Sequence, residues 1–263
     1  MYCRAHRLHP PGRILPRGPA PFAVRLPAPK NSRLAPARRL TTVQLFIDTA
    51  DLQEARRAAG LGVISGATTN PKLAAAAAPG DFEQRIRQML DIVSGPISVE
   101  VLAENADDML VEAADYAAWD PRIAVKIPLT LEGLPVIRQL ERERDIRVNV
   151  TCMMNANQAL LALMAGASYV SLFVGRISDM GYDAYAVIAE TADLIERGGF
   201  GGRIIAGSMR QVGDIQRSFQ AGAHIVTTQY DYLAQMAHHP RTVETIEEFK
   251  QAWDQAQRQG DLR

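Results

Sequence analysis

The chain has 263 residues, 47% of them hydrophobic and 22% charged, with 29 Lys/Arg balanced by 29 Asp/Glu. Such a composition is ordinary for a globular protein of one large or two small domains. Two cysteines, Cys3 and Cys152, exclude a disulfide framework. The neutral total hides an asymmetry: residues 1–42 carry nine Lys/Arg and no acid, which leaves 20 basic against 29 acidic residues in the remainder, a balance of −9. An acidic body of that kind is a poor match for nucleic acid, and no apolar run reaches the roughly 18 residues of a membrane span.

Residues 1–42 hold eight of the 15 prolines and show neither helical nor strand periodicity, so they are expected to be disordered. They are Arg-rich and acid-free like a transit peptide, yet their prolines oppose the amphipathic helix such a peptide forms. An inert extension, a targeting segment and a basic interaction arm all stay open, and a cytoplasmic location is favoured over an organellar one.

From residue 43 to 263, short β-branched runs alternate with stretches of helical period. The runs are LFIDTA (45–50), GVISGATTN (62–70), ISVEVLA (97–103), IAVKIP (123–128), RVNVTCM (147–153), YVSLFVGR (169–176), RIIAGSM (203–209) and HIVTTQY (224–230). Gly60, Gly166 and Gly222 are placed to cap helices before the next run, and a last helix is expected from about Pro240 to Gln257. Eight β-α units without a composition break predict a single (β/α)8 TIM barrel, with a doubly wound open sheet as the structural alternative. Most simply, the last helix caps the barrel.

Barrels of this type place their chemistry at the C-terminal ends of the strands. Polar residues gather there: Asp48, Thr68 and Asn70, Glu100, Lys126, Asn149 and Thr151, Ser171 and Arg176, and Ser208 with Arg210, over seven successive runs. In AVKIP, alternation puts Ala124, Lys126 and Pro128 on one face and Val125 with Ile127 on the other. If the branched pair packs against helices, Lys126 points into the barrel, where desolvation favours the free amine that Schiff-base chemistry requires. A lysine ion-paired to Asp48 or Glu100 for structure alone is the bland alternative. Glu100 near Thr151 is placed to hold a water for proton shuttling, although Glu100 could equally be a charge facing a helix. Asp48 could take a substrate hydroxyl proton, or could cap the helix that begins near Asp51. Arg176, Ser208 and Arg210, read as lying on the sixth and seventh strands, suit a phosphate monoester.

The ordered motifs FIDTAD, TTNP, VEV, VKIP, NVT, FVGR and AGSMR, with NQALLA and AGASYVS between them, resemble those of transaldolases, and in particular the short subfamily that includes the fructose-6-phosphate aldolases. The resemblance runs from about Leu45 to the last helix. It implies Lys126 as Schiff-base lysine, Asp48 as acid/base for aldol cleavage, and Glu100 with Thr151 as the water-holding pair. Thr68, Asn70, Asn149, Ser171 and Phe173 would then line the substrate site, with Asn70, Asn149 and Ser171 on the dihydroxyacetone hydroxyls, and Arg176, Ser208 and Arg210 would bind phosphate. It further implies a class I mechanism without metal or organic cofactor, on sugar phosphates of the pentose phosphate pathway. The partners it implies are those substrates and a homo-oligomeric ring, a pentamer or decamer exchanging the last helix, with neither nucleic acid nor membrane involved.

Glu100 and Phe173 are the transaldolase choices where members acting as fructose-6-phosphate aldolases resemble one another in carrying glutamine and tyrosine. An aldolase releasing free dihydroxyacetone, an enzyme for a specialised sugar and a catalytically silent sugar-phosphate-binding barrel are the alternatives. The chain departs from the family pattern at Cys152–Asn155, at Leu172 and at Gly207. Cys152 is expected to be a buried small hydrophobe, and Met153 and Met154 to lie near the catalytic mouth. His224, His238 and His239 lack metal-site spacing and are read as surface or packing residues.

Overall fold

A computed structural model describes residues 43–77 and 81–259. The expectation of disorder over residues 1–42 lies outside the described residues. The strands are β1 (Gln44–Asp48), β2 (Ile64–Thr68), β3 (Ile97–Glu100), β4 (Ile123–Pro128), β5 (Val148–Met153), β6 (Tyr169–Phe173), β7 (Arg203–Gly207) and β8 (Ile225–Thr228). All pair in parallel with their chain neighbours, and β8 closes on β1. The chain is therefore a (β/α)8 TIM barrel, and the open-sheet alternative is excluded.

Among the described residues the helices are α1 (Leu52–Gly60), α2 (Pro71–Ala76), α3 (Phe82–Ile92), α4 (Ala106–Ala117), α5 (Gly133–Glu143), α6 (Ala156–Ala165), α7 (Val174–Asp179), α8 (Ala184–Gly198), α9 (Val212–Gln220), α10 (Tyr230–Ala237) and α11 (Pro240–Gln259). Starts follow capping chemistry. Asp51 accepts from the amides of Gln53 and Glu54 at 2.7 and 2.9 Å to begin α1, so Asp48 is not that helix's cap. Asn70, followed by Pro71, accepts from Leu73 to begin α2. Gly166, at φ 106°, is the left-handed cap of α6. Gly60 instead ends α1 from within, and Gly62 takes the positive φ of 71°.

The period of two divides each strand between two environments. Ile47, Val125, Ile127, Val170, Leu172, Ile204 and Val226 face outward into the core between strands and helices. Inside the barrel, Phe46, Ala124, Tyr169, Ile205 and Ile225 form a separate apolar plug. Gly66 makes room for it, because a side chain on that residue would collide with the Phe46 ring. Two residues further along the same five strands stand Asp48, Lys126, Ser171, Gly207 and Thr227. The plug thus closes the floor beneath the polar mouth.

α11 does not cap the barrel: none of its residues is buried, and Val243, Ile246, Phe249 and Trp253 are exposed, Phe249 at 69%.

His224 stitches the strand starts together, since its Nδ1 accepts the Ile204 amide at 3.1 Å while its own carbonyl accepts from Gln44. Burial, with the nearby Arg203 charge, holds its pKa below the ordinary 6.5. The folded state therefore binds this proton less readily than the unfolded chain, so the stability tied to neutral His224 is present above about pH 6.5 and is lost as pH falls. His224→Ala should cost about 1 kcal/mol in urea melts at pH 8, and the cost should shrink as pH falls below about 6.5. A penalty that stays constant with pH would contradict this.

Candidate active site

At the C-terminal mouth of the barrel lies a cavity of about 440 Å³, whose wall includes Asp48, Thr68, Asn70, Glu100, Lys126, Ser171, Phe173, Arg176, Ser208 and Arg210. Ten of the twelve residues expected at the site from sequence thus share one cavity. Asn149 and Thr151 are fully buried behind its wall.

Lys126 is 5% exposed. Its Nζ lies 2.8 Å from Glu100 Oε2 and donates to the Thr69 carbonyl at 2.9 Å. The register that sets Glu100 beside Lys126 across β3 and β4 produces the pair. Glu100 accordingly faces the cavity and not a helix, and the ion pair offered above as the bland alternative is present. The main-chain acceptor Thr69 lies in the loop after β2, where no side-chain pattern announces it.

Asp48 is half-buried and lines the cavity. Its Oδ1 accepts from Thr68 Oγ1 at 2.7 Å, and the hydroxyls of Thr68 and Thr227 are 2.6 Å apart. Thr68 has one hydroxyl proton, so its donation to Asp48 leaves Thr227 to donate to Thr68. Burial pushes the Asp48 carboxyl above the usual 3.8, and the Glu100 charge adds to that; the Thr68 hydrogen bond and the Lys126 charge oppose it.

Behind the wall, Ser171 Oγ donates to Asn149 Oδ1 at 2.7 Å, and Asn149 Nδ2 donates to Ser98 Oγ at 3.0 Å. Asn149 is thereby oriented by its neighbours, while Asn70 is committed to capping α2. Thr151 Oγ1, by contrast, is buried without a hydrogen-bond partner among the described residues.

Phosphate candidates sit beyond the strands and not on them. β6 ends at Phe173 and the chain turns into α7, so Arg176 is helical; Ser208 and Arg210 lie in the loop after β7. The Arg176 guanidinium is 5.1 Å from the Phe173 ring centre. Arg210 Nη2 meets Asp179 Oδ2, at the end of α7, at 2.6 Å, with both side chains exposed. Asp179 was not anticipated. Thr227, Thr228 and Gln229 also line the cavity and were missed, although the polar end of HIVTTQY obeys the rule that found the other seven runs.

Cys152 corrects another expectation. It is only half-buried, its φ is 60°, and it lines the cavity. Burial raises its thiol pKa, with the Glu100 charge adding to the rise, which keeps it in the weakly nucleophilic protonated form. Met153 is fully buried in the outer core and Met154 packs against that core, so neither is part of the cavity wall.

A closed parallel barrel with an interior lysine, two carboxylates and two arginines around one mouth has the layout of a (β/α)8 enzyme that works on an anionic substrate. Comparison with known proteins narrows that class. Residues 45–261 match the family model described as transaldolase/fructose-6-phosphate aldolase, so the chain belongs to that family. A protein of Desulforudis audaxviator named a probable transaldolase is 45% identical over 211 residues, 80% of this chain and 97% of that protein. One of Desulforamulus reducens with the same name is 46% identical over 209 residues, covering 80% and 96% of the two chains. A Streptococcus agalactiae probable transaldolase is 41% identical over 212 residues, or 81% and 98%. Among the described residues, no helix is long and apolar enough to cross a membrane.

Proposed function

We propose that the protein is a transaldolase that moves a dihydroxyacetone unit from a ketose phosphate, such as fructose 6-phosphate or sedoheptulose 7-phosphate, to an aldose phosphate through an imine on Lys126. The observation that carries this reading is the position of Lys126 Nζ. It lies beside a carboxylate at 2.8 Å and opens on the cavity that also holds Asp48, Arg176 and Arg210.

The chemistry follows from that placement. Glu100 is in place to take the proton of the ammonium, and the freed amine adds to the ketose carbonyl. Loss of water from the resulting carbinolamine needs a proton delivered to the departing hydroxyl; Glu100 supplies it, and the open hydrogen-bond capacity of Thr151 suits a water in the same relay. Asp48 then removes the proton of the C4 hydroxyl. The C3–C4 bond breaks, its electron pair passes to the imine, and an aldose phosphate departs from an enamine. An incoming aldose runs these steps backwards. A carboxyl pushed upward by burial is a better-matched base for that proton than an exposed one. Phe173 borders the cavity without a proton to give, which favours transfer over release of free dihydroxyacetone.

Borohydride treatment in the presence of fructose 6-phosphate should leave a reduced three-carbon or six-carbon adduct on the peptide containing Lys126. No adduct with either ketose phosphate would sink the proposal. Adding erythrose 4-phosphate should then yield a seven-carbon product and not accumulate dihydroxyacetone. The same reading takes the exposed apolar residues of α11 as part of a contact between copies of the chain in a homo-oligomer.

Asp179 holds the guanidinium that would grip the phosphate, so it competes with substrate for Arg210. An exposed pair of this kind contributes about 0–1 kcal/mol. Asp179→Asn should therefore lower KM for fructose 6-phosphate by up to about fivefold, with kcat unchanged. A raised KM in steady-state kinetics would mean that Asp179 orients Arg210 instead of competing for it.

A further inference from the structure

We infer that Asp214, together with Tyr185 and Tyr232, forms a clamp that positions the phosphate-gripping loop 208–211; this inference rests on the reading that Ser208 and Arg210 bind substrate phosphate. None of the three residues borders the cavity, so they are positioning residues that act through the loop.

The loop is held from four elements. Asp214, on α9 and only 4% exposed, accepts the amides of Arg210 at 2.8 Å and Gln211 at 3.1 Å through Oδ2. Its Oδ1 accepts Tyr185 OH from α8 at 2.7 Å and Gln211 Nε2 at 3.2 Å. Tyr232, from α10, donates to the Arg210 carbonyl at 2.7 Å. Thus both main-chain polar groups of Arg210 are fixed by side chains, the amide from α9 directly after the loop and the carbonyl from α10, which follows β8. On the remaining side, the Gly175 amide donates to the Ser208 carbonyl at 2.9 Å. Any side chain on Gly175 would strike that carbonyl and the Arg210 guanidinium. Gly175 directly precedes Arg176, so the two arginines are coupled through one main-chain contact.

A helix cap alone does not require all of this. An acid at the third position of α9 bonding the Gln211 amide is ordinary capping, but the bonds to Arg210 and from both tyrosines add nothing to that helix. They act on a loop whose Ser208 sits at φ 61°, a left-handed conformation that is unfavourable for a non-glycine residue and persists only where surroundings impose it. Arg217, 3.9 Å over the Tyr185 ring, holds that ring in turn. The arrangement keeps the Ser208 hydroxyl and the Arg210 side chain in one geometry before substrate arrives, which reduces the ordering cost of binding phosphate.

Tyr185→Phe and Tyr232→Phe remove one hydroxyl each and keep the rings, and Asp214→Asn tests the hub. Titration calorimetry with inorganic phosphate should show each phenylalanine variant binding about threefold to tenfold more weakly than wild type, as loss of one hydrogen bond of about 1 kcal/mol predicts, and Asp214→Asn more weakly still. KM for fructose 6-phosphate should rise in parallel while kcat stays within about twofold, and kcat/KM for unphosphorylated fructose should not change. Unchanged phosphate affinity in both phenylalanine variants, equal losses on the two sugars, or a wild type that does not bind phosphate would each overturn the clamp. A wild type that binds phosphate but traps no imine would remove the transaldolase reading alone, and the titrations would still decide the clamp.

Discussion

Lys126→Met should abolish the borohydride-trapped adduct and lower ketol transfer by about 10⁴-fold or more, because the other lysine bordering the cavity, Lys72, is an exposed residue of α2 and not an amine of the barrel interior. The substitution also leaves Glu100 in a recess without its cation. Removing one partner of a buried pair typically costs about 3–5 kcal/mol, although the cavity gives Glu100 access to water and to protonation, which relieve part of that cost. Lys126→Met should therefore melt below wild type, and adding Glu100→Gln should recover most of the loss, since the pair then leaves together. Activity separates the two roles of the lysine. If Lys126 served the ion pair alone, the double variant would be stable and as active as Glu100→Gln, which by itself removes the proton shuttle; a nucleophile predicts that it is stable and far less active than Glu100→Gln. Thermal melts and transfer assays on the single and double variants make the comparison directly.

The feature that made Lys126 conspicuous in sequence was alternation, and alternation is local. Ala124 and Lys126 fall on the face opposite Val125 and Ile127 whatever the rest of the chain does, so the inward lysine was legible once the eight-unit pattern suggested a barrel. The same reasoning found Asp48, Thr68, Glu100 and Ser171 on strands β1, β2, β3 and β6. It stopped at the strand ends. FVGR reads as a continuation of YVSL, because nothing in its composition marks the turn after Phe173 that carries Arg176 into α7. The six residues of α2 and of α7 are too few for a helical period to show.

Partners were harder to read than positions. The Thr69 carbonyl under Lys126 is a main-chain group, and main-chain groups carry no residue-specific signal. Asp179 and Asp214 lie 31 and 4 residues from Arg210, and only the tertiary fold brings the first of them to its guanidinium. The last helix shows a further limit. Its apolar spacing was correctly read as an amphipathic helix, but periodicity names the face to be covered and not what covers it. That ambiguity is why α11 was assigned to the barrel, where the structure leaves Val243, Ile246, Phe249 and Trp253 exposed.

Asp48 tests whether the site sacrifices stability for chemistry. Its carboxyl is pushed above 3.8 chiefly by burial, so the folded protein holds this proton more tightly than the unfolded chain. Stability from that difference is fully present below about pH 3.8 and is lost as pH rises through the folded pKa. Above the folded pKa the ionised group is consequently a burden on the fold. Asp48→Asn keeps an acceptor for Thr68 and removes the buried charge. It should melt above wild type at pH 7.5, with the gap narrowing toward pH 4. Carbon–carbon cleavage should fall by about 10²–10⁴-fold, the usual contribution of a positioned acid/base, while borohydride trapping of the ketose imine persists because Lys126 and Glu100 are untouched. Each outcome has a distinct alternative. A destabilised Asp48→Asn would mean that the charge of Asp48 is needed to balance Lys126, and loss of the adduct would move Asp48 from bond cleavage into imine formation. A more stable variant that forms the imine and stalls there would show that the buried carboxylate is retained for the C4 proton, against the preference of the fold.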